Sequence, residues 1–115
     1  MILVSFDIDG TLEFGDPPGP VSLEVVLDAK QRGYVVGSAS DRTLSDQRAL
    51  WTAAGITVDF VSHKHHLTAN TSLFGCTRLV HIGDSTSDEH YARLAGFEFF
   101  RADSLPPPQT PGWIF

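Results

Sequence analysis

Cysteine is nearly missing from this sequence. Cys76 stands alone, so no intrachain disulfide can brace the fold, and a reducing, cytoplasmic setting is the natural expectation. Long apolar runs are missing as well. None approaches the roughly 20 residues of a membrane-spanning helix, so no membrane partner is expected. The opening stretch Met1-Ile2-Leu3-Val4-Ser5-Phe6 has no basic residue ahead of it and is cut short by Asp7, so it reads as a strand and not as a signal peptide. Basic residues are few: eight Lys and Arg stand against fourteen Asp and Glu, a formal net charge of −6. They are scattered, with no basic face of the kind nucleic acid demands, and this weighs against a nucleic-acid partner without closing the question. The same balance is compatible with a phosphorylated substrate, because a bound divalent cation reverses the local field. No internal repeat or long low-complexity tract is present.

What is present fits one domain: 115 residues, 42% of them hydrophobic. Apolar runs of strand type fall at 2–6, 34–38, 58–61, 79–82 and 97–100. Helical patterns fall between them. The first runs over 22–32, capped by Ser22, with Leu23, Val26, Leu27 and Lys30 on its inner stripe and Gly33 as its stop. The second starts at Thr43, followed by Asp46 in a capping arrangement, and ends near Gly55 with Leu44, Leu50, Trp51 and Ala54 on its apolar side. Shorter helices are expected over 67–74 and 87–95. Gly10, Gly15 and Gly19 with Pro17, Pro18 and Pro20 make 7–20 a loop or tight hairpin. Alternating strands and helices predict an α/β domain over 1–105, a Rossmann-like parallel sheet with helices on both faces in three layers. A Pro-rich tail follows over 106–115. In such folds ligands bind beyond the carboxyl ends of the strands, so polar residues just after each strand are the candidates for function.

Four of the five strands are followed by such residues. After the first comes Asp7-Ile8-Asp9-Gly10-Thr11, two carboxylates two positions apart and leaning to the same side. One can attack phosphorus while the other handles the proton of the leaving group. A solvated turn is a common fate for Asp-x-Asp-Gly alone; a buried-type strand running straight into it favours chemistry. After the fourth strand comes Gly83-Asp84-Ser85-Thr86-Ser87-Asp88, where Asp84 is placed to ligate a hard cation and Asp88 lies one helical turn on. First-turn acids also serve the helix dipole, a reading that stays open for Asp88 above all. After the second strand, Ser40, with Ser38 as the fallback, offers a hydroxyl to a phosphoryl oxygen, and Arg42 offers a guanidinium to a phosphate or carboxylate. After the third strand Lys64 can neutralise charge on a nucleophile and a transferring phosphoryl group. His63, His65 and His66 beside it invite a transition-metal reading, but no cysteine accompanies them and a solvated polar loop is the expectation. His81 reads as a satisfied core histidine and His90 as a surface one.

Together these residues resemble the haloacid dehalogenase superfamily of phosphohydrolases. The resemblance runs from Phe6 to about Phe100 through Asp7-Ile8-Asp9-Gly10-Thr11-Leu12, Ser40, Lys64, and Gly83-Asp84 with Asp88. It implies a Mg²⁺-dependent phosphatase that cleaves phosphate monoesters through an aspartyl-phosphate. Asp7 would be nucleophile and metal ligand. Asp9 would give its carbonyl to Mg²⁺ and its carboxyl to proton transfer. Asp84 would be the second carboxylate ligand, with Asp88 ligating the metal or orienting Lys64 or a metal-bound water. Gly10, Thr11, Ser40, Arg42 and Lys64 would contact the substrate. The all-oxygen ligand set would also accept Mn²⁺ or Ca²⁺. An acid at position 9 favours hydrolysis, or transfer to a bound acceptor, over the ATPase and dehalogenase branches.

The chain departs from most members in length. The stretches 12–21 and 41–63 have no room for a cap domain, so an open site is expected. That suits a bulky phosphorylated substrate, macromolecular included, or a neighbouring subunit acting as lid. Two other classes compete. A signalling receiver domain also accepts phosphate on Asp, but its paired acids are adjacent and its phosphorylated Asp lies on a later strand. A catalytically idle scaffold of the same fold would keep the shape and work through a partner.

Overall fold

The computed structural model describes residues 1–106, and within them every side chain but those of Asn70 and Leu73; the tail expected over 106–115 lies, beyond Pro106, outside the described residues. Five strands, β1 (Ile2–Phe6), β2 (Val35–Ser40), β3 (Phe60–His63), β4 (Arg78–Gly83) and β5 (Glu98–Arg101), alternate with four α-helices, α1 (Leu23–Gln31), α2 (Leu44–Ala53), α3 (Leu67–Thr71) and α4 (Thr86–Leu94). All five strands pair in parallel in the order β3-β2-β1-β4-β5. The α/β fold read from the sequence is the fold observed.

The central strand explains the layering. Leu3 through Phe6 are all buried, without polar alternation, as a strand covered on both faces requires. Val4 and Phe6 face a cluster that includes Val25, Val26 and Ala29 of α1 and Trp51 of α2. Leu3 faces Leu67 of α3 and Ala92 of α4 on the opposite side. Val4 is in register with Val36 on β2 and Val80 on β4.

The strand order has one reversal. From β1 the chain winds outward through β2 to β3, then crosses back to β4 on the other flank of β1. The loops leaving β1 and β4 therefore diverge, and a crevice opens at their carboxyl ends. The loop after β1 is closed by an isolated bridge between Leu12 and Val21, with Ile8, Leu12 and Val21 buried in the core. It lies on the body and forms no cap. Among the described residues no helix is long and apolar enough to cross a membrane.

Helix faces and strand limits differ from expectation in instructive ways. In α1 the buried residues are Val25, Val26 and Ala29, while Leu27 is exposed. The Val25-Val26-Leu27 run is apolar on three adjacent faces, and small Ala29, four residues after Val25, selects the face that sits against the sheet. Ser22 makes no side-chain capping bond, whereas the Thr43 hydroxyl accepts from Asp46 N as expected. In α2 the inner residues are Gln47 and Trp51, and Leu44 is exposed. Strand β3 starts two residues late because Asp59 is already engaged: its N–H donates to Val36 O at 2.7 Å and its carboxylate accepts from Val36 N at 2.9 Å.

Candidate active site

Asp7 continues the line of β1. Its N–H donates to Ile82 O on β4 at 2.9 Å, which fixes its backbone at the mouth of the crevice, and it is 3% exposed. Asp84 follows β4 and is half-buried; Asp88, in the first turn of α4, is fully buried. One carboxylate oxygen from each of the three lies within 4.8 Å of the others. Two glycines make room for this convergence. Gly10 has φ +76°, and a Cβ on it would collide with Asp84 Oδ2. A Cβ on Gly83 would collide with the Asp88 carboxyl group.

Lys64 enters from the third strand. It opens the 3₁₀ turn Lys64–His66 directly after β3 and is 6% exposed. Its Nζ stands 3.3 Å from Asp88 Oδ1, 3.6 Å from Asp7 Oδ1 and 3.6 Å from Asp41 Oδ2. Burial pulls the lysine toward neutrality, but the charges of Asp7, Asp88 and Asp41 outweigh it, so its pKa lies above the ordinary lysine value. Asp7 behaves oppositely. Burial, then the negative charge of Asp88, push its carboxyl up to about 8 against the pull of Lys64. Burial also pushes Asp88 up, but the bond to His81, Lys64 and the Ser85 hydroxyl hold it well below the usual carboxylate range. Three converging carboxylates, that of Asp7 with its pKa raised first by burial, form an all-oxygen donor set that could hold a hard divalent cation such as Mg²⁺.

Asp9 is tied to the second strand. Arg42 grips its carboxylate with Nε at 2.9 Å from Oδ2 and Nη2 at 2.9 Å from Oδ1, and Asp16 N donates to Oδ1 at 2.9 Å. Partial burial raises this carboxyl, yet the bonds from Arg42 and Asp16 carry it below its ordinary pKa. The Ser40 hydroxyl accepts from Arg42 N at 3.0 Å at the end of β2. Ser38 lies deeper: its Oγ donates to Gln47 Oε1 at 2.7 Å and accepts from Trp51 Nε1 at 2.9 Å, which makes it a packing residue. Thr11 Oγ1 donates to Asp7 Oδ2 at 3.2 Å.

Asp41 and His81 are the participants sequence reasoning did not place in the site. Asp41 is an exposed turn residue with no motif to mark it. His81 is a buried, satisfied histidine as expected, but its Nε2 partner is Asp88 Oδ1, at 2.9 Å. A polar residue inside an otherwise apolar strand was the signal available. The three loop histidines are drawn together, with the His65 and His66 ring centroids 4.1 Å apart. His90 is exposed, as expected.

No family model matches the chain and no curated protein matches it. The resemblance to the haloacid dehalogenase superfamily accordingly stands as a proposal.

Proposed function

We propose that the chain is a Mg²⁺-dependent phosphatase of the haloacid dehalogenase type, acting on phosphate monoesters with Asp7 as nucleophile. The observation that carries this reading is the buried Asp7 carboxylate, 3.6 Å from Lys64 Nζ and within 4.8 Å of Asp84 and Asp88, at the reversal point of a parallel sheet. Asp7, Asp84 and Asp88 would hold the cation, with the Asp9 carbonyl as the resemblance implies. When bound, Mg²⁺ supplies the positive charge that keeps Asp7 ionised and offsets charge on the phosphoryl oxygens.

Asp7 then attacks phosphorus, forming an O–P bond as the ester P–O bond breaks, and the departing oxygen takes a proton from Asp9. Water attacks the aspartyl-phosphate, Asp9 takes back a proton, and inorganic phosphate leaves with Asp7 restored. Lys64 and the Ser40 hydroxyl hold the phosphoryl oxygens. Gly10 and Thr11 line the same turn, Thr11 orienting Asp7 through its hydroxyl. Asp9 must first be released, since a carboxylate held by Arg42 has no proton to give. The Arg42 and Asp9 side chains are 28% and 33% exposed, so an incoming phosphate can draw the guanidinium away and leave Asp9 free to take a proton from solvent before it serves as the acid. A site without a cap favours a bulky phosphorylated substrate, or a second subunit as lid. Phosphate release from an aryl phosphate with Mg²⁺, and its loss with chelator, tests the reading. Transfer of the phosphoryl group to an added alcohol in place of water would mark a phosphotransferase. No release from folded, Mg²⁺-loaded protein across a substrate panel would favour the scaffold.

A further inference from the structure

The turn that brings Lys64 into the crevice has a second face. His63 ends β3, and His65 and His66 complete the 3₁₀ turn. Lys64 is buried with its Nζ 3.6 Å from Asp7, whereas His63 is half-buried and His65 and His66 are exposed. A three-residue repeat brings positions 63 and 66 to the same side of the turn. One ring nitrogen from each of the three histidines lies within 4.8 Å of the others. The rings are mutually close: His63 stacks on His65 at 5.5 Å with an interplanar angle of 5°, and His66 lies 6.0 Å from His63 and 4.1 Å from His65. Among the described residues, the rings of His63 and His65 make no hydrogen bond.

We propose that His63, His65 and His66 form a transition-metal site of the Zn²⁺ class on the outer face of the Lys64 turn. Three imidazoles leave one tetrahedral position for water or an anion, and Zn–N bonds of about 2.0–2.1 Å set ligand nitrogens roughly 3.3 Å apart. The present spacing, within 4.8 Å, is wider than that value, so binding a metal requires the rings to turn inward. The donors also sort the metals. Imidazole nitrogen selects Zn²⁺, Ni²⁺ or Cu²⁺, while the carboxylates of Asp7, Asp84 and Asp88 across the turn suit Mg²⁺. A metal here ties the end of β3 to the turn after it and fixes the backbone on both sides of Lys64. The site reads from local geometry and does not rest on the phosphatase reading.

The test is a Zn²⁺ titration of the full chain by calorimetry with Mg²⁺ saturating, comparing wild type with His65→Ala and Asp84→Asn. A parallel Co²⁺ titration is followed in the visible spectrum. Since His65 is exposed, its replacement leaves the fold in place, which far-UV circular dichroism verifies. The expected result is one tight Zn²⁺ equivalent that survives Asp84→Asn. Losing a ligand costs more than the 10–100-fold that losing a ligand's outer partner costs, so His65→Ala weakens binding roughly 100-fold or more. The Co²⁺ form shows four-coordinate absorption that disappears in the same variant. Absence of a Zn²⁺ equivalent in the presence of Mg²⁺, or Zn²⁺ binding that His65→Ala leaves intact, overturns the proposal.

Discussion

His81 Nε2 lies 2.9 Å from Asp88 Oδ1, and His81 Nδ1 lies 3.0 Å from Ser5 Oγ, with all three residues fully buried. An ionised carboxylate only accepts, so Nε2 carries the hydrogen of the first bond. The Asp88 oxygen that receives it also faces Lys64 at 3.3 Å, and Lys64 in turn faces Asp7. A relay of buried polar groups thus links the sheet interior to the candidate nucleophile. His81→Leu keeps the packing volume but leaves Asp88 and Ser5 short of a partner. Urea denaturation should show a loss of about 1.5–3 kcal/mol, the range for a hydrogen bond to a charged group. Phosphate release should fall with it through misplacement of Lys64. A variant as stable and active as wild type would remove His81 from the account.

The two glycines beside the acids are steric requirements. Gly10→Ala adds a Cβ where Asp84 Oδ2 sits, at φ +76°, and the left-handed backbone alone costs about 1–2 kcal/mol. Gly83→Ala intrudes on Asp88 in the same way. Both should raise the Mg²⁺ concentration needed for half-maximal activity or for thermal stabilisation, in contrast to Gly33→Ala on the far side of the fold, where the added carbon meets nothing.

Metal and pH are coupled through Asp7. Its folded pKa lies above the ordinary carboxylate value, so the folded chain holds this proton more tightly than the unfolded chain does. In metal-free protein this makes stability fall as pH rises from the usual carboxylate range to about 8. Asp88 works in the other direction: its folded pKa is depressed, and the stability it lends is lost as pH falls through and below the ordinary carboxylate range. Mg²⁺ should therefore raise the Tm most at the alkaline end. A Tm difference with and without Mg²⁺ that shows no trend over this range would contradict it.

The parts of the molecule legible in the sequence were those with local causes. Mostly apolar runs, broken only by Ser5 and His81, marked β1 and β4, and the polar residues after them marked Asp7 and Asp84. Strand β2 was harder to bound, because Gly37-Ser38-Ala39-Ser40 has the composition of a turn and is strand only through its neighbours. Ser38 is satisfied by Gln47 and Trp51 of α2, residues that periodicity cannot pair with it. The inner face of α1 was misread in part: Val26 is buried and Leu23 packs on the core, but Leu27 is exposed and Val25 and Ala29 take the inner positions. The clasp of Arg42 on Asp9 joins positions 33 residues apart and leaves no local trace.

That clasp makes a kinetic prediction. Asp9 is held ionised by Arg42 and Asp16, with partial burial opposing them. Removing the guanidinium in Arg42→Ala should raise the Asp9 pKa. If Asp9 protonates the leaving group, the alkaline limb of the pH–rate profile for an alkyl phosphate should move to higher pH. KM should rise as well, because the substrate loses a cation. An unmoved limb together with an unchanged KM would argue that Arg42 and Asp9 serve only to brace the loop.

The most direct test of the central claim is mass analysis of protein quenched in acid during turnover of a phosphate monoester with Mg²⁺. The account predicts one phosphoryl group on the peptide that carries Asp7, labile to hydroxylamine, and neither adduct nor phosphate release in a folded Asp7→Asn variant. Phosphate released from protein that is never modified, with Asp7→Asn turning over near the wild-type rate, would contradict it.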